Sequence, residues 1–108
     1  MCILKDTFHI MKYEIVSTTI FDKWLSGLND AVTKRKVLAR LARVENGHFG
    51  DFKYIATDLY ELRFFFGGGL RIYYTIHNDH VVLLLVGGDK SSQSQDIKQA
   101  KQLLNELE

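Results

Sequence analysis

The segment "VVLLLV", Val81 to Val86, constrains the fold more than any other. Every residue in it is apolar, so a strand built from it needs cover on both faces. Asn78-Asp79 gives a turn signal before it, and Gly87-Gly88-Asp89-Lys90 follows it. The run therefore reads as the central strand of a sheet. Gly87 and Gly88 read as a sharp change of direction, and Asp89-Lys90 as a polar turn ahead of a helix cap.

The other elements arrange themselves around that strand. "KYEIV" is a short strand by alternation. Phe21, Trp24, Leu25 and Leu28 recur at i, i+3, i+4 and i+7, one face of a helix, with Thr18 or Thr19 as cap. Asn29-Asp30 breaks this helix and caps another from Ala31 to Glu45. There Leu38, Leu41 and Val44 face inward, and Lys36, Arg40 and Arg43 form a stripe on another face. The two helices make a hairpin, and "NGHFGD" is a loop. "FKYIA", "LYELRFFF" and "LRIYYTIH" are strands, the last two joined around Gly67, Gly68 and Gly69. Ile97, Ala100, Leu103, Leu104 and Leu107 mark a final helix, with Ser92 and Gln95 at capping-box spacing. The expected fold is α+β. An N-terminal strand and a helical hairpin pack on a mostly antiparallel sheet of about four to five strands, with a C-terminal helix.

At 108 residues the chain suits one core, expected over residues 13–108, with residues 1–12 as an N-terminal extension or irregular start. Met11 is an alternative start. A net charge of +1 does not mark a nucleic-acid binder, so any basic function must come from local clustering. The single cysteine excludes an internal disulfide framework and suits a reducing cytoplasm. No apolar run approaches the roughly 20 residues of a membrane span, and the start lacks a signal-peptide core. The histidines show no metal-ligand spacing with Cys2, so no metal or other cofactor is expected.

Strand parity sorts the polar residues. Tyr60, Leu62, Phe64 and Phe66 share one face of their strand; Glu61, Arg63 and Phe65 share the other. Leu70, Ile72, Tyr74 and Ile76 oppose Arg71, Tyr73, Thr75 and His77 in the same way. An odd-numbered loop keeps both apolar faces on one core. A loop of Gly67 to Gly69 does this and sets Arg63 opposite Tyr73. A two-residue turn at Asn78-Asp79 pairs Ile76 with Val81, Tyr74 with Leu83 and Ile72 with Leu85. Those six then face the core, and Val82, Leu84 and Val86 need a second cover from the last helix or a partner. With Phe52 and Tyr54 inward, Lys53 joins Arg63, Arg71 and Tyr73, and Lys90 leaves the central strand nearby. Such a set of cations and a phenol suits phosphate, which arginine binds in a bidentate manner. Read singly, each is an ordinary surface residue. Likewise the Lys36 stripe is a solvated helix face and His48 a solvated loop residue.

Four stretches in order, "FDKWLSGLND", "LARLARVENGHFGDFK", "ELRFFFGGGLRIYY" and "VVLLLVGGDKSSQSQDIKQAKQLL", resemble the RelE/ParE-superfamily toxins of bacterial type II toxin–antitoxin modules. The resemblance is to the HigB-like addiction module killer branch, also found in phages, and runs from Tyr13 to Leu104. "FFFGGG" stands where a Gly-Pro-Gly-like hairpin is usual, and the N-terminal extension is outside the pattern.

The resemblance implies a ribosome-dependent, metal-independent mRNA endonuclease that inhibits translation. It implies as partners mRNA in the ribosomal A site and a cognate helix-turn-helix antitoxin. The 2′-hydroxyl attacks the adjacent phosphate, which calls for a base, cations for the phosphorane and an acid for the leaving oxygen. Carried over by motif, Lys53 is the base or a transition-state cation. Arg63 and Arg71 clamp the phosphate, Tyr73 stacks or donates a proton, and Lys90 is a second cation or the acid. Lys36, Arg40, Arg43, His48 and Gln95 are the candidates for further RNA contact. Two other readings share the fold: a ParE-like gyrase poison, and a non-catalytic degenerate toxin or phage regulator.

Overall fold

The computed structural model describes residues 12–107 and shows the expected order of elements. β1 (Glu14–Ser17) leads to α1 (Thr19–Ser26) and α2 (Ala31–Glu45). β2 (Phe52–Ala56), β3 (Leu59–Arg63), β4 (Arg71–His77) and β5 (Val81–Gly88) follow. A 3₁₀ turn, Lys90–Ser92, opens onto α3 (Gln93–Leu107). The expected N-terminal extension lies outside the described residues except for Lys12. No helix among the described residues is long and apolar enough to cross a membrane.

The strands form one sheet in the order β1-β5-β4-β3-β2, with β1 parallel to β5 and the other pairs antiparallel. β5 is thus an interior strand, as its apolar run demands. On one face Phe21 of α1 and Val37, Leu41 and Val44 of α2 pack against Leu62, Ile72, Tyr74, Val82 and Leu84. On the other face Ile97, Ala100, Leu103 and Leu104 of α3 pack against Leu59, Tyr73, Leu85 and Val86. The last helix is therefore the second cover.

The caps fix where the helices leave the sheet. The Thr18 hydroxyl accepts from Phe21 N at 3.0 Å and donates to Leu85 O at 2.7 Å, tying α1 to β5. Asp30 caps α2, accepting from Val32 N at 3.1 Å. The capping box before α3 is Asp89 with Ser92, not Ser92 with Gln95. Asp89 accepts from Ser91 N at 2.9 Å, and the Ser92 hydroxyl accepts from Asp89 N at 3.3 Å. The chain begins to coil in the 3₁₀ turn, so the cap falls three residues earlier.

Three further expectations change. On α2, Val37 is fully buried, while Leu38 is 48% exposed. Neighbouring helix residues lie about 100° apart, and contact with the sheet selects Val37. In the β4–β5 connection His77 pairs with Val81, so the turn also includes His80. Ile76 then pairs with Val82 and Tyr74 with Leu84, and these, not Val81 and Leu83, face the α1–α2 core. A bulge at Leu85 shifts the register between Tyr73 and Tyr74, and both Leu85 and Val86 end under α3. Lastly, Gly87 and Gly88 do not turn the chain. They finish β5, paired with Ile72 and Arg71. A side chain on Gly87 would overlap the Trp24 ring, and one on Gly88 would overlap the Asp96 carboxylate. The glycines let both groups lie directly on the strand backbone.

Candidate functional site

The β3–β4 hairpin builds the site. Arg63 pairs with Arg71, and Glu61 with Tyr73. The Phe64 N–H donates to Leu70 O at 3.0 Å, so the loop runs from Phe65 to Gly69, longer than expected. Its residue count is still odd. Arg63, Arg71 and Tyr73 keep their common face, but Arg63 faces Arg71 rather than Tyr73. On β2 Lys53 pairs with Glu61, which brings it to the same face. Lys90 lies just past β5; its N–H donates to Gly68 O at 3.4 Å, holding it against the hairpin tip. The structure thus gathers Lys53, Arg63, Arg71 and Lys90 at one end of the sheet.

Two carboxylates that were not singled out in the sequence organise this cluster. Arg71 Nη1 donates to Glu61 Oε1 at 3.2 Å; the Arg71 side chain is 15% exposed and that of Glu61 is fully buried. Gln93 Nε2 donates to Glu61 Oε2 at 2.9 Å, joining the start of α3 to the same carboxylate. Arg63 pairs with Asp51, Nε to Oδ2 at 3.3 Å, in a more open position. The signal for Glu61 was present: an acid of the same parity as Arg63, inside a strand that is otherwise mostly apolar, needs a partner when buried. The long connection that brings Gln93 to it leaves no local pattern.

Tyr73 is fully buried under α3, and its hydroxyl has no hydrogen-bond partner among the described residues. Burial, and then the Glu61 carboxylate, push its phenol far above the ordinary tyrosine range. It is shielded from any RNA in this arrangement. Lys53 and Lys90 are exposed and form no salt bridge among the described residues.

Arg40 was expected on the exposed stripe with Lys36 and Arg43, but it turns inward. Its guanidinium donates to Phe49 O at 2.9 Å, to Asp51 O at 2.7 Å and to Arg63 O, and it lies over the Phe64 ring. Burial lowers its pKa. Arg40 therefore holds the loop before β2 against the end of β3, and with it the Asp51–Arg63 pair. Lys36 is exposed, with its ammonium 5.0 Å from the centre of the Phe66 ring. Arg43, His48 and Gln95 are also exposed. A separate groove lies at the other end of the sheet, between the second half of α3 and the β4–β5 turn, and none of these residues lines it.

A five-stranded sheet with an α1–α2 hairpin on one face and α3 on the other defines a RelE-type fold. A solved structure of the E. coli toxin RelE, a mutant in the free state, superposes with a TM-score of 0.69, covering 85% of this chain and 97% of that one at 17% identity. Residues 23–105 match the family described as "Phage derived protein Gp49-like (DUF891)". The chain belongs to this family, which is of the RelE/HigB type, and so to the RelE superfamily. An uncharacterized protein of Haemophilus influenzae is 46% identical over 97 residues, covering 90% of this chain and 98% of that protein.

Proposed function

We propose that this protein is the toxin of a type II toxin–antitoxin module and acts as a ribosome-dependent mRNA endonuclease. The observation that carries the reading is the direct pairing of Arg63 with Arg71 on adjacent strands, with Lys90 at the open end of the third. Paired residues on adjacent antiparallel strands have Cα atoms about 5 Å apart. That is close enough for both arginines to reach one phosphate. The supports at family level are the Gp49-like match and the RelE fold.

Cleavage proceeds without a metal. The 2′-hydroxyl attacks its own 3′-phosphate, the P–O bond to the next nucleotide breaks, and the products are a cyclic phosphate and a free 5′-hydroxyl. Arg63, whose pair with Asp51 is partly solvated, releases that partner and takes the phosphate in its place. Arg71 keeps its Nη1 contact with Glu61 and donates to the same phosphate from Nη2. Lys53 and Lys90, on opposite sides of the arginine pair, serve the attacking and the leaving oxygen. Tyr73 supports the floor of the site rather than touching RNA. An antitoxin is the expected protein partner, with a helix-turn-helix module as its fold; the site of action is the cytoplasm.

Induced expression in a bacterial host tests the reading. Growth arrest with blocked protein synthesis and cut mRNA is expected, with both lost in Arg63→Ala. Intact mRNA together with DNA damage would instead indicate gyrase poisoning.

A further inference from the structure

The tip of the β3–β4 hairpin carries a feature that mRNA cleavage alone does not require. Phe65 is 88% exposed, between the buried Phe64 and the half-buried Phe66. The loop is not slack. Gly69 N donates to Phe66 O at 3.1 Å and Leu70 N to the same oxygen at 3.2 Å. Gly67, Gly68 and Gly69 all have positive φ, at 60°, 75° and 79°, which few other residues tolerate. The sequence thus fixes a turn that holds an aromatic ring in water.

A groove separates this tip from α2. Lys36, Ala39, Arg40 and Arg43 line its helical side, and Phe64, Phe65 and Phe66 line the other. No carboxylate among the described residues lines it. α2 carries Lys34, Arg35, Lys36, Arg40 and Arg43 with no acid before Glu45, although the whole chain has a net charge of only +1. An exposed flat ring with unopposed cations beside it suits a ligand that has both flat π-faces and phosphates. The far side of the same tip rests on Lys90, so the groove and the cation cluster share one hairpin.

We infer that this groove binds single-stranded RNA, a base stacking on Phe65 while Lys36 and Arg43 contact the flanking phosphates. The strand is the mRNA being cut, a few nucleotides from the scissile bond. This identity rests on the nuclease reading above; the binding chemistry does not.

Titration of the full-length protein with a short oligoadenylate tests it. The Phe65→Trp variant places a fluorophore at the tip, and wild-type signal from Trp24 is subtracted. Oligoadenylate should quench the added emission, and polyphosphate of equal charge should not. Phe65→Ala should weaken oligoadenylate binding on the order of tenfold, the scale of one lost base stack. Lys36→Ala with Arg43→Ala should weaken it and flatten its salt dependence. Equal quenching by polyphosphate, or unchanged affinity in Phe65→Ala, would overturn the inference. So would stronger competition from an acidic peptide, which would mark a protein-binding surface. Ribosomal mRNA cleavage is measured alongside on the same proteins. Cleavage by wild type with RNA binding unaffected in Phe65→Ala removes this inference alone. No cleavage with the quenching intact removes the nuclease reading alone.

Discussion

Arg71 and Glu61 form an ion pair at 3.2 Å in which the carboxylate is wholly inaccessible to water. Removing one member of such a pair strands the other. Glu61→Ala should therefore destabilise the fold by about 3–5 kcal/mol, measured by urea unfolding. Arg71→Ala should do the same, so loss of toxicity in that variant has two causes. Replacing both by apolar residues, Glu61→Leu with Arg71→Met, should recover most of the stability. The double variant should still fail to cut mRNA. A stable and active double variant would remove Arg71 from the site.

Arg40 and Arg43 lie on one helix but have different work to do. Arg40 bonds three backbone carbonyls, whereas Arg43 is exposed. Hydrogen bonds from a charged group contribute about 1.5–3 kcal/mol, and Arg40→Ala should cost at least that much stability. Arg40→Lys should not rescue it, because a lysine has no planar fork to span three acceptors. Arg43→Ala should stay within about 0.5 kcal/mol of wild type. The two melting temperatures decide the matter.

Gly87 faces the ring of Trp24 across bare backbone. Gly87→Ala should destabilise by about 1–3 kcal/mol through overpacking. Adding Trp24→Leu should reduce that penalty by opening the space. If the penalties simply add, the two residues are not in conflict, and Gly87 serves another purpose.

The Asp89 cap sets a pH dependence. Hydrogen bonds from the Ser91 side chain and then its backbone hold the Asp89 carboxyl below its ordinary value. A lowered folded-state pKa adds stability above the unfolded value of about 4 and loses it as pH falls through the folded one. The stability difference between wild type and Asp89→Ala should therefore be largest near neutral pH and shrink below pH of about 4. A difference that stays constant would show that charge plays no part in the cap.

The sequence carried the element order, the interior place of β5 (the middle strand itself is β4) and the common face of Arg63 and Arg71, because parity survives any odd hairpin loop. It did not carry the β4–β5 register. Asn78 and Asp79 do adopt positive φ, as the expected turn needs, but one more residue enters the turn and a bulge follows. Both faces of "VVLLLV" are apolar, so the pattern could not expose a slip of one residue. Gly87 and Gly88 looked like a turn because their reason lies in Trp24 and Asp96, far away in the chain. Arg40 looked like part of a solvated stripe because its partners are backbone carbonyls, which have no sequence signature.

The most direct measurement is the chemistry of mRNA ends in a purified translation system given this protein. Cuts in ribosome-bound mRNA are expected that leave a 2′,3′-cyclic phosphate and a 5′-hydroxyl, unaffected by chelation beyond what the ribosome itself needs, and abolished by Arg63→Ala. Intact mRNA with a folded wild-type protein, or cuts that persist in Arg63→Ala, would contradict the nuclease reading.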